Sequence, residues 1–445
     1  MYITLRGVPE TEDAGPEADG AAVVDRPGRV ATPRARLRRG AVPRTVLALG
    51  VVSLLTDVSS ESVSAVLPLY ITAIMGMGPL AYGFIDAIYQ GTSAAVRLLG
   101  GWWADRTRRP KWVAFAGYLV SAVSKFGLLA FTGFGSLTGV IAVDRLGKGL
   151  RTGPRDALIV TASEPHRLGR NFGVHRALDT AGALIGPLIA FAVLAAIPLG
   201  LGGYHAVFVI STAFAIIGVV ALALIVPDLR SERRAEPSPG PRIALRRADF
   251  LRPGLRRVLV AAAVLGVATI GDGFIYLALA DGGSLATQYF PLLFVGTNAV
   301  YLLLAVPLGR LSDRVGRGTV FLVGHLLLLA AYLLIGAHLV GTPGAILDLV
   351  LLGAFYAATD GVLSALTARV VAEQHRASGI AAAQTVVALA RFVCSIGFGL
   401  LWQLTARSDA VTAMAVVLGV AVVVAGWALR PLLGRTAVPA SGGAE

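Results

Sequence analysis

Apolar residues gather along this chain in long runs, near 45–75, 79–103, 112–133, 136–161, 171–198, 204–226, 257–280, 285–309, 317–339, 344–369, 377–405 and 409–431. A helix rises only about 1.5 Å per residue, so roughly 20 mostly apolar residues cross a hydrocarbon core. The runs therefore predict twelve membrane-spanning helices. Closed barrels, the other spanning solution, show alternating segments of about ten residues, which these runs do not resemble. Gly and Pro inside them, as at Gly182, Gly186 and Pro187, are compatible with membrane helices because neighbouring groups satisfy the freed backbone.

The polar stretches between the runs repeat. Gly101-Trp102-Trp103-Ala104-Asp105-Arg106, followed by Arg108, Arg109 and Lys111, returns 208 residues later as Gly309-Arg310-Leu311-Ser312-Asp313-Arg314, followed by Gly316 and Arg317. His166-Arg167 and His375-Arg376 come round at an offset of 209. Near-constant offsets argue for duplication of a six-helix unit, with two halves meeting around a central site. The predicted fold is an all-α integral membrane protein of two six-helix repeats. Residues 1–43 form a disordered N-terminal tail, 44–226 the first bundle, 227–256 a linker, 257–431 the second bundle and 432–445 a C-terminal tail.

Charge fixes sidedness. Lys and Arg of short loops stay on the cytoplasmic side, and here they follow the even-numbered spans and fill both tails, while the odd-numbered loops offer only Arg407. Both termini are thus expected in the cytoplasm, and the membrane to be the bacterial cytoplasmic one. The net charge of +13 sits beside the bilayer, where orientation and anionic lipid account for it; no nucleic-acid partner is expected. Composition agrees, with 56% hydrophobic residues, 15% charged and a mean hydropathy of +0.73, against about 25% charged in an average soluble domain. Cys394 is alone, so no disulfide framework forms, and no phosphate loop or metal-spaced Cys/His set is present. Neither an enzyme nor a cofactor is expected; the partners are a small-molecule substrate, protons and lipid, with the chain a monomer.

Twelve spans, a long central loop and the paired GxxxDR loops resemble the major facilitator superfamily over about residues 45–432. Val66-Leu67-Pro68-Leu69-Tyr70 and Gly182-Ala183-Leu184-Ile185-Gly186-Pro187 resemble motifs of its drug/proton antiporter branch, although Leu188, Ile189 and Ala190 stand where further glycines belong. The resemblance implies multidrug or metabolite efflux driven by protons, and associates Arg145, followed by Gly149, with proton coupling.

A charge at mid-membrane costs at least about 2.5–3.5 kcal/mol on insertion scales, so each needs a partner, a wet cavity or a function. Ser53, Asp57, Ser60, Glu61 and Ser64 share one face of the first span. Span four is the most charged, carrying Asp144, Arg145, Lys148, Arg151, Arg155 and Asp156. Asp57, Glu61, Asp144, Arg145 and Asp179 are the proton-coupling candidates, the alternative being static ion pairs with neighbouring cations. His175 is a further relay candidate. Ser60, Arg97, Lys148, Asp272, Phe274, Asp360 and Arg391 are candidates for the substrate cavity. Gly101, Asp105, Arg106, Arg109, Arg151, Arg155, Asp156, Gly309, Asp313, Arg314 and Arg317 are candidates for a cytoplasmic gate. Gly182, Gly186 and Pro187 are read as helix packing. An organic-anion carrier, and a transporter-like sensor or scaffold, remain as other readings.

Overall fold

The computed structural model describes residues 42–197, 200–229, 252–281, 286–337, 341–372 and 375–433, and for some helical residues, Arg97 and Asp105 among them, the backbone alone. Most of the two tails and of the central linker expected from the sequence therefore lies outside the described residues. The described chain is helical, with no strand. Its helices are α1 (Arg44–Leu69), continued by a π-turn to Ile74, α2 (Pro79–Thr107), α3 (Pro110–Ser124), α4 (Gly127–Ala130), α5 (Phe134–Thr161), α6 (Leu168–Ala196) and α7 (Leu201–Ile225). After the linker come α8 (Pro253–Val267), α9 (Asp272–Asp281), α10 (Phe290–Val315), α11 (Arg317–Gly336), α12 (Thr342–Val370), α13 (Arg376–Leu404) and α14 (Arg407–Leu429). Among the described residues ten helices or helix pairs are long and apolar enough to cross a membrane. The other two long helices, α2 and α5, have 29 and 28 residues; α5 carries the dense charge noted above.

Two expected spans are interrupted. Residues 110–130 divide into α3 and α4 around Lys125–Phe126, and 253–281 divide into α8 and α9 around residues 268–271. Breaking a helix in lipid frees backbone groups that must find partners. Here Tyr332 supplies them: its hydroxyl donates to the Ala268 carbonyl at 3.2 Å and accepts from the Ile270 N–H at 2.6 Å.

Packing repeats as the sequence does. In the first half α1 lies against α6 and α7, α2 and α3 against α5, and α3 against α7; in the second, α8 lies against α13 and α14, α10 and α11 against α12, and α11 against α14. The halves meet chiefly through α2 against α13 and α6 against α10. Within lipid there is little hydrophobic drive to join helices, so close backbone approach and interhelical hydrogen bonds carry more of the association. A Cβ at Gly182 would lie 2.5 Å from the Leu54 carbonyl oxygen, and one at Gly186 2.8 Å from Ser62 N and Val58 O; α6 runs along α1 at a separation only glycine permits. Ser59 and Ser211 add hydrogen bonds between α1 and α7 at 2.7 and 3.0 Å.

The GxxxDR loops are tight turns in both copies. Arg108, at the end of α2, has φ +53°, and Gly316, 208 positions on, has φ +120°. Asp313 accepts from Arg317 at 3.0 Å, and Arg317 also donates to the Ala365 carbonyl at 2.9 Å. This copy fastens α10, α11 and α12 to one another within the second half, where the sequence leads one to expect a latch across the cytoplasmic face. The side chain of Asp105 is outside the described residues, and no side chain would touch a Cβ at Gly101 or Gly309.

Candidate functional site

Charged side chains from both halves meet in a central cavity of three connected compartments, about 250, 440 and 660 Å³. Gln90 lines all three. The middle compartment is walled by five cations, Lys148, Arg151, Arg155, Arg176 and Arg391, and by four carboxylates, Asp57, Asp179, Asp272 and Asp360. The largest is lined by Arg176, Thr269, Tyr301, Asp360, Gln384 and Arg391 among others, toward the ends of the helices that carry the basic loops.

At the opposite end the halves are sealed. A Cβ at Gly83 would lie 3.2 Å from the Gly399 Cα and 2.4 Å from the Ser395 carbonyl oxygen, so α2 and α13 touch backbone to backbone there. Tyr82, Phe274, Phe398 and Trp402 pack into an aromatic cluster with ring centroids 4.7 to 5.8 Å apart. Phe191 stacks on Tyr289 at 5.7 Å. Phe274, expected in the cavity, is therefore part of this seal, 1% exposed. Tyr276 and Phe290 are buried core residues, and Phe294 and Tyr301 line the cavity. Beyond the seal lies a separate depression of about 460 Å³ lined by Leu69, Thr72, Met77, Ala286 and Trp402.

The polar face of α1 meets the charged face of α5. Glu61 faces Lys148 at 3.6 Å and Asp57 faces Arg151 at 3.7 Å, and all four line the cavity. Ser60 is 2% exposed and outside the lining. One turn further, Arg155 contacts Asp156 at 2.9 Å and Asp179 at 3.8 Å, and its guanidinium reaches the Ser53 hydroxyl at 3.4 Å. Arg176 holds Asp179 from the other side at 3.4 Å, and His175 pairs with Ser53 at 3.0 Å. These contacts join α1, α5 and α6, all within the first half. The gate expected of Arg151, Arg155 and Asp156 is thus a set of ties inside one half, with Arg151 turned to α1.

Asp144 and Arg145 sit apart from that wall. Asp144 contacts Arg145 at 2.7 Å and Lys125 at 3.5 Å and accepts a hydrogen bond from Ser121. The Arg145 guanidinium lies 3.7 Å over the Tyr89 ring. Both residues line a void of about 20 Å³ and neither is in the walls of the three central compartments, so the structure separates them from Asp57 and Glu61, with which the sequence groups them. Arg106, Arg109 and Arg314 are exposed at the basic ends of α2 and α10. For Arg97 only its place on α2 is described.

Across the cavity, Tyr356 donates a hydrogen bond to Asp272, and Arg391 lies 5.7 Å over the Tyr356 ring. Two carboxylates escaped the sequence reading. Asp86 of α2 bonds Ser395 of α13 across the halves at 2.5 Å and lines the cavity. Asp348 of α12 is fully buried with neither oxygen hydrogen-bonded. Both were visible as lone acids inside apolar runs, Asp86 in Gly83-Phe84-Ile85-Asp86-Ala87 and Asp348 in Ile346-Leu347-Asp348-Leu349. Among the described residues no His/Cys/Asp/Glu group could hold a metal ion.

Two sets of membrane-length helices, sealed together at one end and parted around a charged cavity at the other, define a multi-pass membrane transporter for small molecules. Residues 49–297 and 285–444 match the Major Facilitator Superfamily, and the chain belongs to that family. It is 28% identical over 372 residues to an uncharacterized MFS-type transporter of Methanocaldococcus jannaschii, covering 81% of this chain and 89% of that protein. It is also 28% identical over 344 residues to an uncharacterized protein of Mycobacterium tuberculosis, covering 75% and 81%. Among solved structures, a nucleoside transporter superposes with a TM-score of 0.72 at 17% identity over 87% of this chain and 98% of its own. A peptide transporter superposes with 0.73 at 15% identity, over 88% and 95%. At such identities the likeness concerns the fold alone.

Proposed function

We propose that the protein is a secondary active transporter of the cell membrane, exporting a polar small molecule in exchange for protons by alternating access. In this reading α2 and α5 cross the membrane with the ten more apolar helices, giving twelve spans in two six-helix halves and placing both termini in the cytoplasm, where the basic loops belong. The cavity is then open to the cytoplasm and sealed on the far side.

The observation that carries the coupling is the pair of contacts Glu61–Lys148 and Asp57–Arg151, which join α1 to α5 at the cavity wall. A proton on either carboxylate removes one charge and releases the cation opposite, so proton occupancy changes how the two helices hold together. The Asp144 network has no wall on the cavity and serves as a fixed brace for α3 and α5. The polar lining supports a charged or hydrogen-bonding cargo over a lipophilic drug, which distinguishes this reading from multidrug efflux.

Proteoliposomes with an imposed proton gradient test it: a compound panel should reveal substrate-dependent proton movement in the wild type. Asp57→Asn and Glu61→Gln should each lose gradient-driven transport at least tenfold while inserting normally. Full proton-driven flux in both variants contradicts the assignment.

A further inference from the structure

Of the cations that wall the central cavity, those of the first half are engaged. Lys148 faces Glu61, Arg151 faces Asp57 and lies 4.3 Å over the Tyr118 ring, Arg155 is shared between Asp156 and Asp179, and Arg176 holds Asp179. Arg391 of α13 differs. It makes no ion pair or hydrogen bond to a described residue, and its Nε is buried from solvent without an acceptor. Its ring contact among the described residues is the face of Tyr356 at 5.7 Å. The guanidinium is bound to no carboxylate, and its planar fork of N–H donors matches the paired oxygens of a carboxylate or phosphate.

The fork stands in the cavity wall. Arg391 lines both the 440 and the 660 Å³ compartments, where they join. Asp272, the acid on the same side, already accepts the Tyr356 hydroxyl. Asp360 stands in the same wall outside ion-pair distance of Arg391 and lowers the local positive potential without satisfying the donors. Counted over all three compartments the wall carries five cations against six carboxylates, Asp57, Glu61, Asp86, Asp179, Asp272 and Asp360, so it is the unpaired fork of Arg391 and not net charge that selects an anion. The terminal guanidinium nitrogens are the donors a cavity anion would meet, since the Nε is closed to solvent and they are not among the buried unpaired atoms.

We propose that Arg391 docks an anionic group, a carboxylate or a phosphate, on the molecule this protein carries. The inference rests on the carrier reading for the word cargo, and on geometry alone for the anion. Tyr356 is the positioning residue that presents the guanidinium, and Lys148 and Arg176, facing it from the first half, stand where a second negative group would reach them.

The test is equilibrium binding to the purified full-length chain, read as the shift in melting temperature with succinate, with inorganic phosphate and with uncharged succinamide, each at matched ionic strength in sodium chloride. Succinate or phosphate should raise the melting temperature saturably and succinamide should not. Arg391→Gln should weaken the anion effect at least tenfold. Arg391→Lys, which keeps the charge and loses the fork, should retain a weakened effect and so covers a misfolded Gln variant. An anion effect unchanged in both variants overturns the proposal, as does a wild type indifferent to both anions. Anion binding that persists where no gradient-driven flux is found would sink the carrier reading and leave this site; proton-driven flux intact in Arg391→Gln would do the reverse.

Discussion

Individual charges in this protein fall into three kinds, and the sequence distinguishes none of them. Asp144 is held by Lys125, Arg145 and Ser121, Asp57 and Glu61 face cations across a wet wall, and Arg391 is unmatched. Removing one partner of a buried ion pair leaves an uncompensated charge and typically costs about 3–5 kcal/mol. Asp144→Asn should therefore lower the melting temperature of the detergent-purified protein sharply, with reduced yield of monodisperse material. Glu61→Gln should change it little, because its side chain keeps 25% exposure beside water. Equal thermal effects of the two substitutions would contradict the division between brace and coupling site. All three acids were legible as charges inside apolar runs. Their roles were not, because helical periodicity fixes which face a residue occupies and leaves open what stands opposite.

Among the helices, close approach does the work that hydrophobic burial does in water. Gly182→Leu would drive a side chain into the α1 backbone at Leu54, where the carbonyl lies 2.5 Å from the Cβ position, and overpacking of this kind costs about 1–3 kcal/mol or more. Thermal melting should fall clearly for that variant. The control is Gly139→Ala, where a Cβ meets nothing within 4 Å; it should be neutral or slightly stabilising, and a destabilisation matching that of Gly182→Leu would refute the packing argument. The glycine spacing on α6 and the apolar runs were legible in sequence, since both depend on local chemistry. The break at 268–271 was not. It depends on the hydroxyl of Tyr332, 62 residues from Ile270; Gly271-Asp272-Gly273 carries a turn signal, but membrane helices tolerate such residues, so the sequence alone does not place the break. The aromatic seal was missed for the same reason: Phe274 looks like a cavity residue until Tyr82, Phe398 and Trp402 are placed around it.

For the molecule as a whole, one asymmetry matters most. The repeated halves touch at one end through Gly83, Gly399 and the aromatic cluster, and stand apart at the other around the charged cavity. If the halves rock about the central site, acidification should weaken the Asp57–Arg151 and Glu61–Lys148 contacts and shift the balance between the two ends. Spin labels measure this directly in a Cys394→Ser background, with one pair at Thr161 and Gln384 on the open end and another at Ala73 and Ala286 on the sealed end. Moving from mildly alkaline to acidic buffer should lengthen the Ala73–Ala286 distance distribution as the Thr161–Gln384 distribution shortens, and Asp57→Asn with Glu61→Gln should abolish the response. Two distributions that stay fixed, or that lengthen together, would contradict proton-driven alternation between the two ends.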